Sequence, residues 1–206
     1  MSETAISSEI REIGEVAAPA PGTWTLDTSH TRAAFVARHM MVTKVRGHFD
    51  RLSGQVQIGE TPEDSRVEVT LDAASIFSGN QQRDDHLRSP DFLDVEKYPT
   101  ITFRSTSVKQ TGPTRLDVTG DLTIRDQTRP VELKVEFEGV ERAPWGTTVA
   151  GFSATAEINR EDWGMTWNAA LETGGVVVGK KVTLEIETQA VLQQVAAESG
   201  DLARAS

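Results

Sequence analysis

The chain has 206 residues, 37% of them hydrophobic, with 16 glycines and 31 acidic against 21 basic side chains, a formal net charge of −10 at pH 7. That length fits one domain with tails, the apolar share supplies a sizeable core, and the acidity opposes phosphate backbones, which counts against nucleic acid as a partner. There is no cysteine, so disulfide frameworks, thiolate metal sites and cysteine nucleophiles are excluded, and no stretch approaches the ~18 consecutive apolar residues of a membrane helix.

Residues 1–22 are acidic, without the basic stretch and apolar run of an export signal, and so point to a cytoplasmic protein with no membrane anchor. They show a short helical spacing in Ile6, Ile10 and Ile13, then run through Ala, Pro and Gly. They read as a flexible N-terminal extension. Residues 23–192 form the domain, and in 193–206 the pattern gives way to Ala, Ser and charge, a frayed or briefly helical C-terminal tail.

Within the domain the dominant period is two. Val67, Val69 and Leu71 alternate with polar residues, as do Leu116, Val118, Leu122 and Ile124 around Gly120. Val131, Leu133, Val135 and Phe137 repeat the pattern, and so do Val182, Leu184 and Ile186. Each is a strand with one wet and one dry face. Weaker candidates at 24–27, 32–38, 47–58, 100–108 and 147–158 bring the total to eight or nine, separated by breakers such as Gly112-Pro113 and Pro144-Trp145-Gly146. Strands in succession with short turns and no long helices predict an all-β antiparallel meander, and closing eight of them into a barrel removes the exposed edges. A barrel of that size is either filled by side chains or leaves room for one small ligand.

One connection departs from the meander. Residues 74–99 form a long loop, and loops of this length are often lids or binding elements. Asn80 can cap a short helix towards Arg88, with Asp84 and Arg88 four apart, and Ser89-Pro90 starts a further turn carrying Phe92 and Leu93. Such a helical lid can plug one barrel mouth.

The run from Arg83 through Asp84, Asp85, His86, Leu87, Arg88, Ser89 and Pro90 to Asp91-Phe92-Leu93-Asp94, followed by Tyr98-Pro99, resembles the signature of the YceI family of polyisoprenoid-binding proteins. Further pieces agree in order: Asp27-Thr28-Ser29-His30, Phe35 and His39, Gly47-His48-Phe49, Leu52-Ser53-Gly54, Gly120-Asp121-Leu122-Thr123, Thr128-Arg129-Pro130-Val131, Pro144-Trp145-Gly146 and Gly151-Phe152. The resemblance covers residues 24–191. Asn159-Arg160-Glu161-Asp162-Trp163-Gly164 with Trp167-Asn168 is similar to an actinobacterial-type branch whose members lack a signal peptide. The resemblance implies a lipocalin-like barrel whose apolar cavity holds an isoprenoid, an isoprenoid quinone or a similar long amphiphile, with no catalytic residue and no catalytic cofactor, and a homodimer. Without a signal peptide, a periplasmic role is not carried over. Asp126 and Gln127 stand in a turn where the family favours Gly and a β-branched residue.

The densest polar cluster is Arg83, Asp84, Asp85, His86, Arg88, Asp91 and Asp94. Arg83 or Arg88 can donate to a head-group oxygen at the cavity mouth, with His86 adding a further donor. Alternatively, the same groups pin the lid to the barrel through caps and ion pairs, or His86 works as acid or base with Asp85 or Asp91. His30, His39 and His48 recur nine apart, but nothing in that spacing makes a metal site converge. His39 is a candidate polar group inside the cavity.

Phe35, Phe49, Phe77, Phe92, Phe103 and Phe152 are candidates for the cavity wall, and Leu87, Trp163, Met165 and Trp167 for its mouth. No GxSxG elbow, Walker-type loop or HExxH occurs. The expected function is therefore non-enzymatic binding, transport or storage of a hydrophobic small molecule. An enzyme acting on a lipid-like substrate through the His86 region, and a protein-interaction module with a filled core, are the alternatives.

Overall fold

In a computed structural model, residues 9–13, 16–171 and 175–193 are described. Ile6 and the tail beyond 193 lie outside them. The strands in chain order are β1 (Ile10–Ile13), β2 (Val16–Pro19), β3 (Gly22–Leu26), β4 (Arg32–His39), β5 (Thr43–Phe49), β6 (Leu52–Ile58), β7 (Arg66–Asp72) and β8 (Ile76–Phe77). After helix α1 (Gln81–Arg88) come β9 (Thr100–Gln110), β10 (Arg115–Ile124), β11 (Gln127–Arg142), β12 (Thr148–Asn159) and β13 (Val178–Leu192).

Eight long strands make one closed antiparallel barrel, because three of them are broken in the middle. β3 and β4 follow one another along the same edge of β13, with Ala190 opposite Leu26 and Glu187 opposite Arg32. β6 pairs with β3 and β5 with β4. β7 and β8 continue the pattern against β6 and β5. From there β9 pairs with β7, β10, β11, β12 and β13 each pair with the preceding strand, and β13 returns to β3 and β4. The alternation legible in 67–71, 116–124, 131–137 and 182–186 thus falls on β7, β10, β11 and β13, with its dry face turned inward.

The breaks are built from side-chain caps. Between β3 and β4 one oxygen of the Asp27 carboxylate accepts from the backbone N–H (2.9 Å) and hydroxyl (2.6 Å) of Ser29, while the other meets both Gln189 Nε2 (3.1 Å) and His30 Nδ1 (2.8 Å). These bonds hold the Asp27 carboxyl down at about 2, the Ser29 hydroxyl contributing most. The β9–β10 ladder shifts register between Thr119 and Gly120, leaving Thr106 of β9 as the extra, bulged residue. A Cβ at Gly120 would lie 2.5 Å from the Phe103 ring and 2.6 Å from the Arg104 carbonyl, so only glycine lets that ring lie flat across the neighbouring strand.

The helical spacing of Ile10 and Ile13 does not make a helix. Ile10 pairs with Pro19 and Ile13 with Val16 in a two-stranded hairpin. A segment this short cannot offset the cost of nucleating a helix, whereas a hairpin can lay its alanines on an existing apolar surface. Ala18 and Ala20 are buried, the Trp24 indole N–H donates to the Ala20 carbonyl at 3.0 Å, and Glu9 accepts from Arg142 Nη1 (2.6 Å) and from the Thr148 hydroxyl. Residues 9–13 and 16–20, read from sequence as part of an extension, therefore pack across one end of the barrel.

The lid occupies the other end. Asn80 caps α1 by accepting from the Arg83 N–H at 3.0 Å. Phe92 and Leu93 are buried in the turn that follows Ser89. A 3-10 turn at Arg160–Trp163 closes the same end from the side of β12.

A candidate apolar binding cavity

The barrel is hollow. A cavity of about 280 Å³ runs inside it, and its wall is the dry face of the strands: Val67, Val69 and Leu71 from β7, Leu116, Val118 and Leu122 from β10, Val131, Leu133 and Val135 from β11, Leu184 and Ile186 from β13. Two tilted aromatic pairs are set into this wall, Phe35 with Phe49 (ring centres 6.1 Å apart) and Phe137 with Phe152 (5.4 Å). Among the described residues, Arg11 is the one charged side chain on the lining. A surface of this kind desolvates hydrocarbon and offers little to a polar solute.

The cavity is displaced away from the lid. At the hairpin end it is bounded by Arg11, Val16, Ala18 and Pro19, by Pro62 and Ser65 of the β6–β7 connection, and by Gln110, Pro113 and Thr114 at the β9–β10 turn. At the opposite end, Phe103 and Leu122 belong to a solid cluster with Leu93, Trp163 and Met165. Trp163 is buried there and its indole N–H donates to the Leu122 carbonyl at 3.1 Å.

Of the candidates named from sequence, Phe35, Phe49, Phe103 and Phe152 line the cavity. His39, Phe77, Arg83, His86, Leu87, Arg88, Phe92, Trp163, Met165 and Trp167 do not. The arginines are held elsewhere: Arg83 Nε donates to the Ser78 hydroxyl and Nη2 to the Ser78 carbonyl, both at 2.7 Å, and Arg88 donates to the carbonyls of Ala74 (2.8 Å) and Ile76 (2.7 Å). Asp84 does not pair with Arg88; it is buried and accepts from the N–H (2.9 Å) and hydroxyl of Ser78, leaving Arg88 to Asp85 at 3.2 Å. His86 pairs with Asp91 at 2.9 Å and packs edge-on against Phe92 and Trp167, with ring centres 5.0 and 4.5 Å away. Arg83, His86 and Arg88 are absent from the cavity lining, and their bonds run to residues 74–78, to Asp85 and to Asp91. Leu87 packs against the lid-end cluster, and Phe77 sits half-exposed on the outside against His48.

Arg160 extends this bracing. It is buried, donates to the carbonyls of Gly179 (3.1 Å), Val178 (3.4 Å) and Met165, and lies 5.8 Å from the Phe92 ring centre. Burial lowers its pKa from the usual arginine range. The three spaced histidines go separate ways: His30 to Asp27, His48 to Asp50 at 2.9 Å, and His39 to the end of β4. Among the described residues no three His, Asp or Glu side chains converge as a metal would require, and no helix is long and apolar enough to cross a membrane.

Sequence reasoning passed over two groups. The aliphatic wall was visible as the dry face of each strand, the period-two signal itself. Arg11 carried no signal, because nothing in the sequence marked β1 and β2 as a hairpin packed on the barrel.

Comparison with known proteins places this geometry. The family model described as a YceI-like domain matches residues 24–190. The UPF0312 protein SA2479 of Staphylococcus aureus (strain N315) is 39% identical over 169 residues, covering 81% of this chain and 95% of that protein. The crystal structure of Burkholderia cenocepacia BcnA superposes with a TM-score of 0.70 at 22% identity, over 80% of this chain and 98% of the other. A domain from Saccharophagus degradans, described as polyisoprenoid binding and implicated in plant cell wall breakdown, superposes with a TM-score of 0.61 at 15% identity, over 82% and 98%.

Proposed function

We propose that this chain, which belongs to the YceI-like domain family, is a non-enzymatic carrier or store that takes up a long-chain amphiphile, a polyisoprenoid or an isoprenoid quinone, in its barrel. The observation that carries this reading is the cavity of about 280 Å³, walled by aliphatic and aromatic side chains from the barrel strands with a single charged side chain among the described residues that line it. Burying ~400–600 Å² of hydrocarbon at ~25 cal/mol/Å² yields a gross gain on the order of 10–15 kcal/mol. Lost translation and frozen rotors cost several kcal/mol of that, so micromolar to nanomolar binding is the expected range.

The fold shared with the Saccharophagus domain is compatible with this ligand class. An interaction module with a filled core loses its premise, since the core is hollow. An enzyme built on His86 would work outside the cavity, at a partly exposed ring paired with Asp91 and packed against Phe92 and Trp167. Placement in an actinobacterial-type branch rests on the motif from Asn159 to Gly164 with Trp167-Asn168, while the curated relative described above is staphylococcal. Homodimerisation likewise rests on kinship and belongs to the proposal.

Native mass spectrometry of gently purified protein, followed by solvent extraction, tests the reading. A stoichiometric lipid on the intact protein is the expected result. Bare protein that takes up no added isoprenoid quinone would overturn it.

A further inference from the structure

In a chain of net charge −10, no Asp or Glu stands between Asp27 and Asp50, while Arg32, Arg38, Lys44 and Arg46 lie within that stretch, on β4 and β5. Arg38 faces Lys44 directly across the two strands, and Arg46 follows Lys44 on the same face. Like charges so opposed repel one another. The ion pairs among the described residues include none of these three. On the adjoining β13, Lys180 and Lys181 are paired with Glu161 (2.9 Å) and Glu157 (2.7 Å), and Glu185 and Glu187 stand further from the β4–β5 tip, opposite Ala34 and Arg32.

The tip itself is apolar. Met40, Met41 and Val42 are 43%, 55% and 75% exposed. The Val42 N–H closes the turn on the His39 carbonyl at 3.1 Å, with φ at 50° for Met40 and 60° for Met41. Two successive positive φ values are what Asn and Gly fill at little cost in a hairpin turn, and methionine only under strain. The methionines thus neither ease the turn nor pack in the core. Met40 N–H donates to the Val177 carbonyl at 2.7 Å, and Val177 N–H to the carbonyl of the exposed Ala169 at 3.0 Å. The tip therefore adjoins the loop carrying Trp167, which packs on His86 of the lid.

Aliphatic side chains protruding beside a face of unpaired cations match the interface of an anionic bilayer, where the tip enters the head-group boundary and the long basic side chains stay level with the phosphates. An acidic protein surface would answer the cations and not the tip. We propose that the β4–β5 turn docks the protein on an anionic membrane, Met40, Met41 and Val42 inserting and Arg38, Lys44 and Arg46 meeting lipid phosphates, with the lid end of the barrel turned to the bilayer. None of residues 36–48 lines the cavity, so this surface is independent of what the barrel holds.

The test sediments the full chain with vesicles of equal parts phosphatidylglycerol and phosphatidylcholine, and with phosphatidylcholine alone, neither containing isoprenoid. The wild type is expected to partition at least about tenfold more strongly onto the mixed vesicles, a preference that shrinks at high salt. Met40→Asn with Met41→Gly suits the turn, so the Tm should hold or rise while partition onto the mixed vesicles falls about tenfold. Arg38→Gln with Lys44→Gln removes a like-charge pair and should erase most of the phosphatidylglycerol preference without loss of stability. A wild type that stays in solution with both vesicles, or a Met40→Asn, Met41→Gly variant that partitions as the wild type does, would overturn the proposal. So would a vesicle-free wild-type dimer that this variant splits, which would make the tip a contact between copies, and so would binding to polyglutamate in place of vesicles, which would reassign the cations to an acidic protein.

Discussion

Arg88, at the last turn of α1, reaches back to the carbonyl oxygen of Ile76 at 2.7 Å, tying the lid to the short strand β8 that precedes it. A second donor of the same side chain meets the Ala74 carbonyl at 2.8 Å. Arg88→Ala leaves both carbonyls without this partner and is expected to cost about 2–4 kcal/mol of stability. Because Arg88 lies outside the cavity, the loss should be the same with and without bound lipid, which paired melting curves measure. A loss confined to the liganded state would return Arg88 to the head group.

His86→Ala is expected to leave lipid retention unchanged. The ring touches Asp91, Phe92 and Trp167 and no cavity-lining surface. Its loss should cost about 1 kcal/mol of lid stability. Extraction of co-purified lipid from equal amounts of variant and wild type checks this.

Ala154 lines the cavity from β12, where it pairs with Val135 and Ile186. Ala154→Trp sets an indole across a lumen of about 280 Å³. The longest chain accepted should shorten, with affinity for full-length ligand falling about tenfold or more while short chains still bind. Displacement assays over a series of chain lengths give the cut-off, and an unchanged cut-off in a folded variant would mean that the chain lies elsewhere.

Asp27 makes the fold pH-dependent at the break between β3 and β4. Its carboxyl is lowered from 3.8 to about 2, first by the Ser29 hydroxyl and then by His30. A depressed carboxylate contributes stability that is complete above its unfolded value and is lost as pH falls through the folded one. Asp27→Asn should therefore be less stable than wild type at neutral pH, with the gap closing between pH 3.8 and about 2. Urea midpoints of both proteins across that window give the answer as a difference, which removes the contribution of the other carboxylates.

Much of the barrel was legible because strand alternation is a local signal. Val131, Leu133, Val135 and Phe137 announce an inward face, and all four do line the cavity. What alternation cannot reveal is how far along the lumen each residue sits. Trp163 and Met165 carry the same apolar character as Phe103, yet they follow β12 in and beyond a 3-10 turn and pack into the plug. The partners of the lid arginines were hidden for a related reason: a run of charges does not show which backbone carbonyls will hold it. The hairpin was hidden because four-residue strands such as β1 and β2 are too short to display a period, and their pairing draws its support from a surface formed by residues more than a hundred positions later, Arg142 and Thr148.

The seam where β13 meets β3 and β4 joins residues 178–192 to residues 22–39. All the other long strands find their partner next along the chain. A nascent polypeptide still on the ribosome and short of its final strand therefore exposes two raw margins, one from its earliest strands and one from β12, and both invite pairing with foreign chains. Closure of the lumen and protection from self-association consequently begin at the same instant of synthesis, when the fifteen-residue strand β13 emerges and zips the wall shut.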